Sequence, residues 1–401
     1  MKPPPFGSAS GGSPLSDSTA MAATGAPRIE SIYGALNEHA AEFEALAREA
    51  ETERRPPEAL AALMRKVRIP LSKVPHAVGG CELAPAQQID FFARIAYLNP
   101  TAGWLAFNQS GVLGLLGANL PDEGIEQVLP PGACPLIAAV SAPTGRSEKV
   151  DGGYTVSGRW SYASGVTCAD YAFLMTICPD PPGPLGVLLR PDQFELHDDW
   201  NVAALQGTGS LDVSAENAFV PDALTCSPLV QNRGGSQYSR IGLRGYVGGE
   251  NLGFSLGVAQ RMVHEIARMA PSKKRVLDPT PVGDRGAFQQ ELGRADATLR
   301  AARAYAMDEF ERAIAIADSA EAQLSPQDTA RLDASIGFAT ESIIQATVRL
   351  FPYAGAGALH LSSPIQRCLR DVIGSGQHVI ATNETLDAWG KALMEQAAEA
   401  Q

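Results

Sequence analysis

The spacing of apolar residues divides the chain into a helical block, a strand block and a second helical block. Ile29, Ile32 and Leu36 begin a spacing of three to four residues that is typical of amphipathic helices, and helical spacing continues to about residue 116. From Leu136, short runs of β-forming residues are separated by Gly, Pro and Asp, which indicates strands joined by turns. Long helical repeats return from about residue 245. Because helices and strands are segregated, this order disfavours a parallel βαβ fold.

These blocks predict three domains behind an N-terminal tail. Residues 1–27 are mostly Pro, Gly, Ser, Ala and Thr, a composition that predicts disorder and lacks the apolar stretch of a signal peptide. We expect a helical domain over residues 28–135, a β-domain over residues 136–225 and a helical bundle of four-helix type over residues 240–397. The sequence Asp151-Gly152-Gly153 predicts a hairpin turn, and therefore antiparallel strands.

Three stretches make more detailed predictions within the helical blocks. Residues 101–116 are apolar on nearly every face, which predicts a helix that is buried or lines an apolar pocket. Ser325-Pro326-Gln327-Asp328 predicts a helix N-cap followed by Pro at the first helical position. A last helical stretch is expected from about Gly376.

Charge and cysteine content exclude several classes of protein. Lys and Arg total 32 and Asp and Glu total 44, so the net charge of −12 argues against binding to nucleic acid or to an anionic membrane surface. The six cysteines are scattered and the six histidines form no cluster, so we expect neither a disulfide framework nor a metal site. Since no apolar run reaches ~18 residues, we expect no membrane helix and a cytoplasmic protein.

Glycine-rich segments do not predict a nucleotide-binding fold. Gly248 to Gly253 has the glycine spacing of a phosphate loop, but Phe254-Ser255 follows where Lys-Ser or Lys-Thr is required. No Gly-x-Gly-x-x-Gly motif joins a strand to a helix. A chain that uses NAD(P)H would therefore depend on a separate protein.

Three sequence blocks occur in a recognisable order. They contain Ser141-Ala142-Pro143 with residues 158–165, then residues 207–210, and then residues 363–367 with Gln377-His378. Together they resemble the acyl-CoA dehydrogenase superfold, and more closely its flavin-dependent monooxygenase branch, over about residues 28–395. The resemblance implies an α+β fold: an N-terminal helical domain, a central antiparallel β-barrel-like domain and a C-terminal helical bundle.

By this resemblance, several residues would hold a flavin. Trp160 would pack on the flavin ring, Ser164 would lie near its N5 atom and Ser141 would reach its pyrimidine edge; alternatively, Trp160 is core and the serines cap turns. Further cofactor contacts implied by the resemblance are Arg275, Gly355, Gly357 and Asn383. The first three would hold phosphates partly across a subunit boundary, although Arg275 also fits a solvated basic patch.

The resemblance also implies that His378 and Ser164 are catalytic. The related dehydrogenases have a glutamate base at about the position of His378, whereas residues 377–381 contain no acid. A histidine instead fits oxygenation, either as a base or as a hydrogen-bond partner of a flavin peroxide. The alternative is a helix histidine that bonds a backbone carbonyl.

A substrate pocket is expected around Trp104, Asn108, Val112 and Val140. Val112 stands where phenol hydroxylases of the branch carry a histidine, and Ala138-Ala139-Val140 stands where a related enzyme carries serines. Two positions that carry polar, substrate-binding residues in those enzymes are therefore apolar in this chain. This favours an apolar, for instance polycyclic, substrate, and leaves oxygenation at carbon, nitrogen or sulfur open.

The combined prediction is an oxidoreductase, the oxygenase component of a two-component monooxygenase. Reduced FMN or FAD, with FMN preferred, would come from a separate NAD(P)H:flavin reductase, and O2 would add to the flavin C4a carbon before an aromatic or electron-rich substrate is hydroxylated. We expect a homotetramer. The alternatives are an acyl-CoA dehydrogenase with its base elsewhere and a non-catalytic flavin-binding member of the family.

Overall fold

The computed structural model describes residues 28–180, 182–228, 230–234, 238–320 and 322–399. The tail that we expect to be disordered, residues 1–27, lies outside these ranges. Within them, no helix combines the length and the apolar character needed to cross a membrane.

Within the described ranges, six α-helices precede a sheet of seven strands. They are α1 (Ile29–Glu38), α2 (Ala40–Glu53), α3 (Glu58–Val67), α4 (Pro85–Leu98), α5 (Pro100–Asn119) and α6 (Asp122–Val128). The continuous helix expected from Ile29 is interrupted at His39, whose backbone (φ −98°, ψ 14°) leaves the helical region and whose Nδ1 lies 2.6 Å from Glu42 Oε1. At the start of α5, the Asn99 side chain accepts a hydrogen bond from the Ala102 amide, and Pro100 occupies the first helical position.

Seven strands follow and form one sheet. They are β1 (Ile137–Val150), β2 (Gly153–Ala163), β3 (Tyr171–Pro179), β4 (Pro182–Leu189), β5 (Glu195–His197), β6 (Leu211–Pro221) and β7 (Thr225–Cys226). The strand order is β5-β6-β2-β1-β3-β4-β7, with the expected β1–β2 hairpin closed by the Val150–Gly153 pair.

Two features of the sheet differ from the antiparallel, barrel-like prediction. The sheet is open, because its outermost strands, β5 and β7, do not pair with each other. It is also mixed, because β1 and β3 run parallel, from Ile137 opposite Tyr171 to Arg146 opposite Ile177. The hairpin places β2 on one edge of β1, so β3 returns to the other edge in the direction of β1.

Five long helices complete the described chain. They are α7 (Tyr238–Met269, interrupted at Gly242), α8 (Gly286–Ala320), α9 (Pro326–Leu350), α10 (Pro364–Ser375) and α11 (Glu384–Glu399). The predicted N-cap is present, since Ser325 Oγ accepts from the Asp328 amide at 3.1 Å. The last helix, expected from about Gly376, begins later: α10 ends at Ser375, and a connection with one short 3₁₀ turn, Val379–Ala381, leads to α11 at Glu384. His378 is therefore not a helix residue.

Helix α5 lies where three hydrophobic cores meet. Trp104 and Phe107 pack in the core of the C-terminal helices, Val112 and Leu116 pack against the sheet, and Leu105 packs among the N-terminal helices. This explains why the helix is apolar on nearly all faces, as the sequence predicts. Because α5 lies between the three cores, it also forms part of the wall of a cavity between them.

Candidate active site

A cavity of about 350 Å³ lies between α5, one end of the sheet, α7 and the connection after α10. It brings together residues that are far apart in sequence and that the sequence predicts as site residues. These are Trp104, Asn108, Val112, Val140, Ser141, Ser164 and His378. Their roles stay predictions, but their meeting in one apolar cavity is a property of the fold.

Ser164 is held in place by hydrogen bonds inside the cavity. Its Oγ accepts from Trp104 Nε1 at 3.2 Å and lies 2.8 Å from Ser210 Oγ, which in turn lies 2.7 Å from Thr208 Oγ1. This chain of hydroxyls joins α5 to the segment before β6. A serine fixed in this way presents its hydroxyl to the cavity in one orientation.

His378 is a largely desolvated side chain that faces aromatic rings. Its ring centroid lies 5.8 Å from that of Trp104 and 5.2 Å from that of Phe107, both edge to face. Burial lowers the pKa of His378 to about 4. Its Nδ1 accepts a hydrogen bond from the Ile380 amide at 3.4 Å, so the proton of the neutral ring resides on Nε2. At neutral pH, His378 is therefore an uncharged hydrogen-bond donor.

Trp160 lies away from the cavity. It is fully buried in the core beneath the sheet, and its Nε1 donates to the Met175 carbonyl at 2.7 Å. Gly145 and Gly158 leave the space that its ring fills, since a Cβ on either would crowd it. This placement favours the alternative of a core residue, and the contact with a flavin ring stays a prediction. The placement follows from the strand register, which turns this side chain inward.

Other aromatic groups lie at the cavity instead. Tyr162 is 65% exposed, and its ring centroid lies 5.7 Å from that of Trp200. The hydroxyls of Ser141 and Ser161 accompany them in the cavity lining. Aromatic side chains with hydroxyls beside them fit the ring of a flavin, which needs an apolar wall and polar groups at one edge.

The predicted phosphate-binding residues lie elsewhere. Lys273 and Arg275 follow the end of α7, and the Lys273 side chain approaches Gly355, where an added Cβ would lie 3.3 Å from Lys273 Cε. The cavity contacts α7 near Val247, 22 residues before Met269, which at 1.5 Å per residue is about 33 Å. Arg275, Gly355 and Gly357 are thus not among the residues that line this cavity, and Arg275 follows the far end of α7. The exposed Asn383 does not line the cavity either.

The sequence reasoning missed the wall formed by α7. Leu243, Tyr246 and Val247 line the cavity, and their spacing of three and four residues on a helix could have indicated this. Behind Tyr246 lies a buried ion pair, in which Lys73 Nζ is 3.1 Å from Glu250 Oε1. Only distant sequence positions form this pair, so no local pattern predicts it.

No carboxylate lines the cavity in the described ranges. The fully buried carboxylate of Glu250 is paired with Lys73, and burial raises its pKa above the usual value. It lies behind Gly111, whose Cβ, if present, would be 3.3 Å from Glu250 Oε2. The arrangement thus offers no exposed carboxylate base for α,β-dehydrogenation.

The chain is similar to known proteins along most of its length. Residues 253–383 match the family described as acyl-CoA dehydrogenase, C-terminal domain. A pigment production hydroxylase from Rhodococcus erythropolis is 28% identical and covers 76% of this chain and 81% of its own. The oxygenase component of an FADH(2)-dependent resorcinol hydroxylase from Rhizobium sp. is 25% identical, covering 84% and 87%. The solved structure of XiaF from Streptomyces sp., with FADH2 and glycerol, has a TM-score of 0.80 at 22% identity, covering 91% and 95%.

The segregated helices and open sheet, with a cavity between them, define a protein with the acyl-CoA dehydrogenase fold. Within this superfold, the chain resembles the branch of flavin-dependent two-component monooxygenases, and its relatives include an oxygenase component.

Proposed function

We propose that this monooxygenase hydroxylates an aromatic or other electron-rich, apolar small molecule with reduced flavin from a separate reductase. The observation that carries the proposal is the cavity itself. It joins seven predicted site residues in an apolar space whose histidine is neutral. Its described lining includes no carboxylate, which counts against the dehydrogenase alternative.

Different side chains of the cavity would bind the flavin, contact the substrate and exclude water. Ser161, Ser164 and Tyr162 would hold the flavin ring, and Asn108, Val112 and Val140 would contact the substrate. When bound, reduced flavin activates dioxygen and supplies the oxygen atom that is transferred. His378 holds a proton at Nε2 and donates it in a hydrogen bond to oxygen or to a substrate heteroatom. The apolar wall excludes water from the reacting groups.

The remaining cofactor contacts would come from another copy of the chain. Since Arg275, Gly355 and Gly357 lie about 33 Å along α7 from the cavity, we propose that they hold the flavin phosphates of a neighbouring subunit in a homotetramer. We further propose FMN as the preferred flavin.

An anaerobic titration tests the cofactor. The purified protein is titrated with FMNH2 and, separately, with FADH2, and then mixed rapidly with O2 while flavin absorbance is recorded. We expect tighter binding of FMNH2 and flavin reoxidation much slower than for free reduced flavin. Reoxidation as fast as for free flavin would contradict the proposal.

A coupled assay tests the reaction. The protein, a flavin reductase, NADH and a panel of phenols, indoles and sulfur heterocycles are incubated under ¹⁸O2. We expect one ¹⁸O atom in a hydroxylated product. Slow reoxidation without product from any ring class would favour the non-catalytic flavin-binding alternative.

A further inference from the structure

The charge of the cavity wall limits the substrates that this site can accept. Among the described residues that line the cavity there is no Asp, Glu, Lys or Arg. Its histidine is held neutral by burial, so it offers no cation at neutral pH. A ligand anion in this space would therefore meet only neutral dipoles.

Two cations behind the wall already have partners. Lys73 Nζ lies 3.1 Å from Glu250 Oε1 and donates to the Tyr246 carbonyl at 2.6 Å, so its charge is compensated behind the α7 wall. On the side of Leu205, Arg370 pairs with Glu51 and donates to the Ala203 carbonyl at 2.6 Å. Neither cation is free to meet a ligand carboxylate.

The polar groups that do face the cavity suit uncharged ligands. Asn108 Nδ2 donates to the Trp104 carbonyl at 2.9 Å, so its Oδ1 is the side-chain atom left to accept a bond. His378 presents an Nε2 proton as a donor. An O–H or N–H group on an aromatic ring can use both the donor and the acceptor, whereas a carboxylate can use only the donors and finds no cation among them.

We infer that this cavity selects aromatic substrates without net charge and discriminates against aromatic carboxylates of the same size. The inference rests on the proposed function, since it names the substrate class of the same site. Its physical basis is desolvation: an ionised carboxylate that enters an apolar cavity without a cation loses hydration that neutral hydrogen-bond donors replace only in part. An amide of equal shape loses much less, because it is neutral and both donates and accepts hydrogen bonds.

Matched ligand pairs test the inference without turnover. Isothermal titration calorimetry at pH 7 measures the Kd of the purified chain, without added flavin, for three acid–amide pairs. The pairs are indole-3-acetate with indole-3-acetamide, 4-hydroxyphenylacetate with its amide, and 2-naphthylacetate with its amide. We expect each bound acid to have a Kd at least about tenfold above that of its amide. Acids that bind as tightly as their amides would overturn the inference.

Two variants at one position test the cause. Val112→Arg adds a cation to the wall, and Val112→Met adds similar bulk without charge. We expect the acid-to-amide ratio of Kd values to fall at least about tenfold in V112R relative to V112M. An equal ratio in the two variants would show that wall charge does not set the preference.

The outcomes separate this inference from the proposed function. A preference for amides together with no oxygenation of any substrate would leave the charge selection standing and remove the monooxygenase reaction. Oxygenation of a substrate together with a preference for acids would leave the monooxygenase reaction standing and overturn the charge selection. Failure of all six ligands to bind would overturn the inference, and the flavin titration and the ¹⁸O2 assay would still decide the proposed function.

Discussion

At the scale of single residues, the cavity depends on how each side chain is held. His378 differs from a solvent-exposed histidine in two ways: burial keeps it neutral, and the Ile380 amide occupies its Nδ1. Between the two roles that the sequence left open, this geometry favours a hydrogen-bond donor over a base.

Replacement of His378 tests its contribution to the reaction. Because His378→Asn removes the Nε2 donor, we expect hydroxylation to slow by on the order of 10²-fold, with reduced-flavin binding retained. The matched control is His76→Asn, an exposed histidine away from the cavity, which should react at the wild-type rate. Equal rates in all three proteins would exclude a role for His378.

The pH dependence of stability tests the neutral state of His378. Its pKa is lowered from 6.5 to about 4 by folding, so the unfolded chain binds more protons between these values. The free energy of unfolding should therefore fall as pH drops from 6.5 towards 4, by about 3 kcal/mol from this residue. Urea unfolding of wild type and His378→Asn measures this, and parallel pH profiles would contradict it.

Two tryptophans allow core and cavity roles to be distinguished. Trp160→Phe removes a buried hydrogen bond to the Met175 carbonyl. We therefore expect the free energy of unfolding to fall by about 1–3 kcal/mol and the affinity for reduced flavin to stay unchanged. Trp200→Phe changes a cavity residue, so we expect weaker flavin binding and a smaller loss of stability. Weaker flavin binding by W160F would restore the original prediction for Trp160.

At the scale of elements, the close approach of α5 to α7 shapes the cavity. A Cβ on Gly114 of α5 would lie 2.6 Å from Tyr246 Oη and 2.9 Å from the Lys73 carbonyl, which lie in α7 and in the segment before α4. The glycine thus lets Tyr246 reach the helix backbone, where its hydroxyl donates to the Gly111 carbonyl at 2.8 Å.

A pair of glycine substitutions tests this contact. Gly114→Ala should lower the free energy of unfolding by about 1–3 kcal/mol, because Tyr246 must move. Gly34→Ala, in α1 where a Cβ has no neighbour within 4 Å, should be neutral or stabilise by about 0.5–1 kcal/mol. Thermal and chemical unfolding of both variants measure these changes. A G114A protein as stable as the wild type would show that the fold does not need this contact.

The elements also show what a sequence can predict. The Asp151-Gly152 hairpin and the Ser325 cap were predictable because turns and caps depend on neighbouring residues. The parallel pairing of β1 with β3 was not, because it depends on which edge of β1 remains free after the hairpin forms. Likewise, the family resemblance implied seven residues that line the cavity, whereas the α7 wall and the inward turn of Trp160 depend on packing.

At the scale of the whole molecule, the proposed cofactor site requires two copies of the chain. The loop that carries Arg275 also carries Val276 and Leu277, which are 102% and 97% exposed. Apolar side chains exposed to this degree next to a basic residue suit contact with another subunit.

Mixed oligomers test the shared site. Arg275→Glu and His378→Asn should each impair the reaction alone. Co-expressed, they should restore activity well above either variant, because some cavities would combine an intact His378 with an intact Arg275 from the neighbour. A mixture no more active than its components would indicate that each chain holds its cofactor by itself.

The length of α7 has a consequence for the protein in dilute solution. The proposal holds the flavin ring and its phosphates at positions about 33 Å apart along this helix, and hence by different chains. A separated subunit would then lack the contacts to the flavin phosphates and bind the cofactor more weakly. Flavin affinity then rises with protein concentration. The cellular abundance of the protein would thus act as a threshold below which it carries no cofactor and consumes no oxygen.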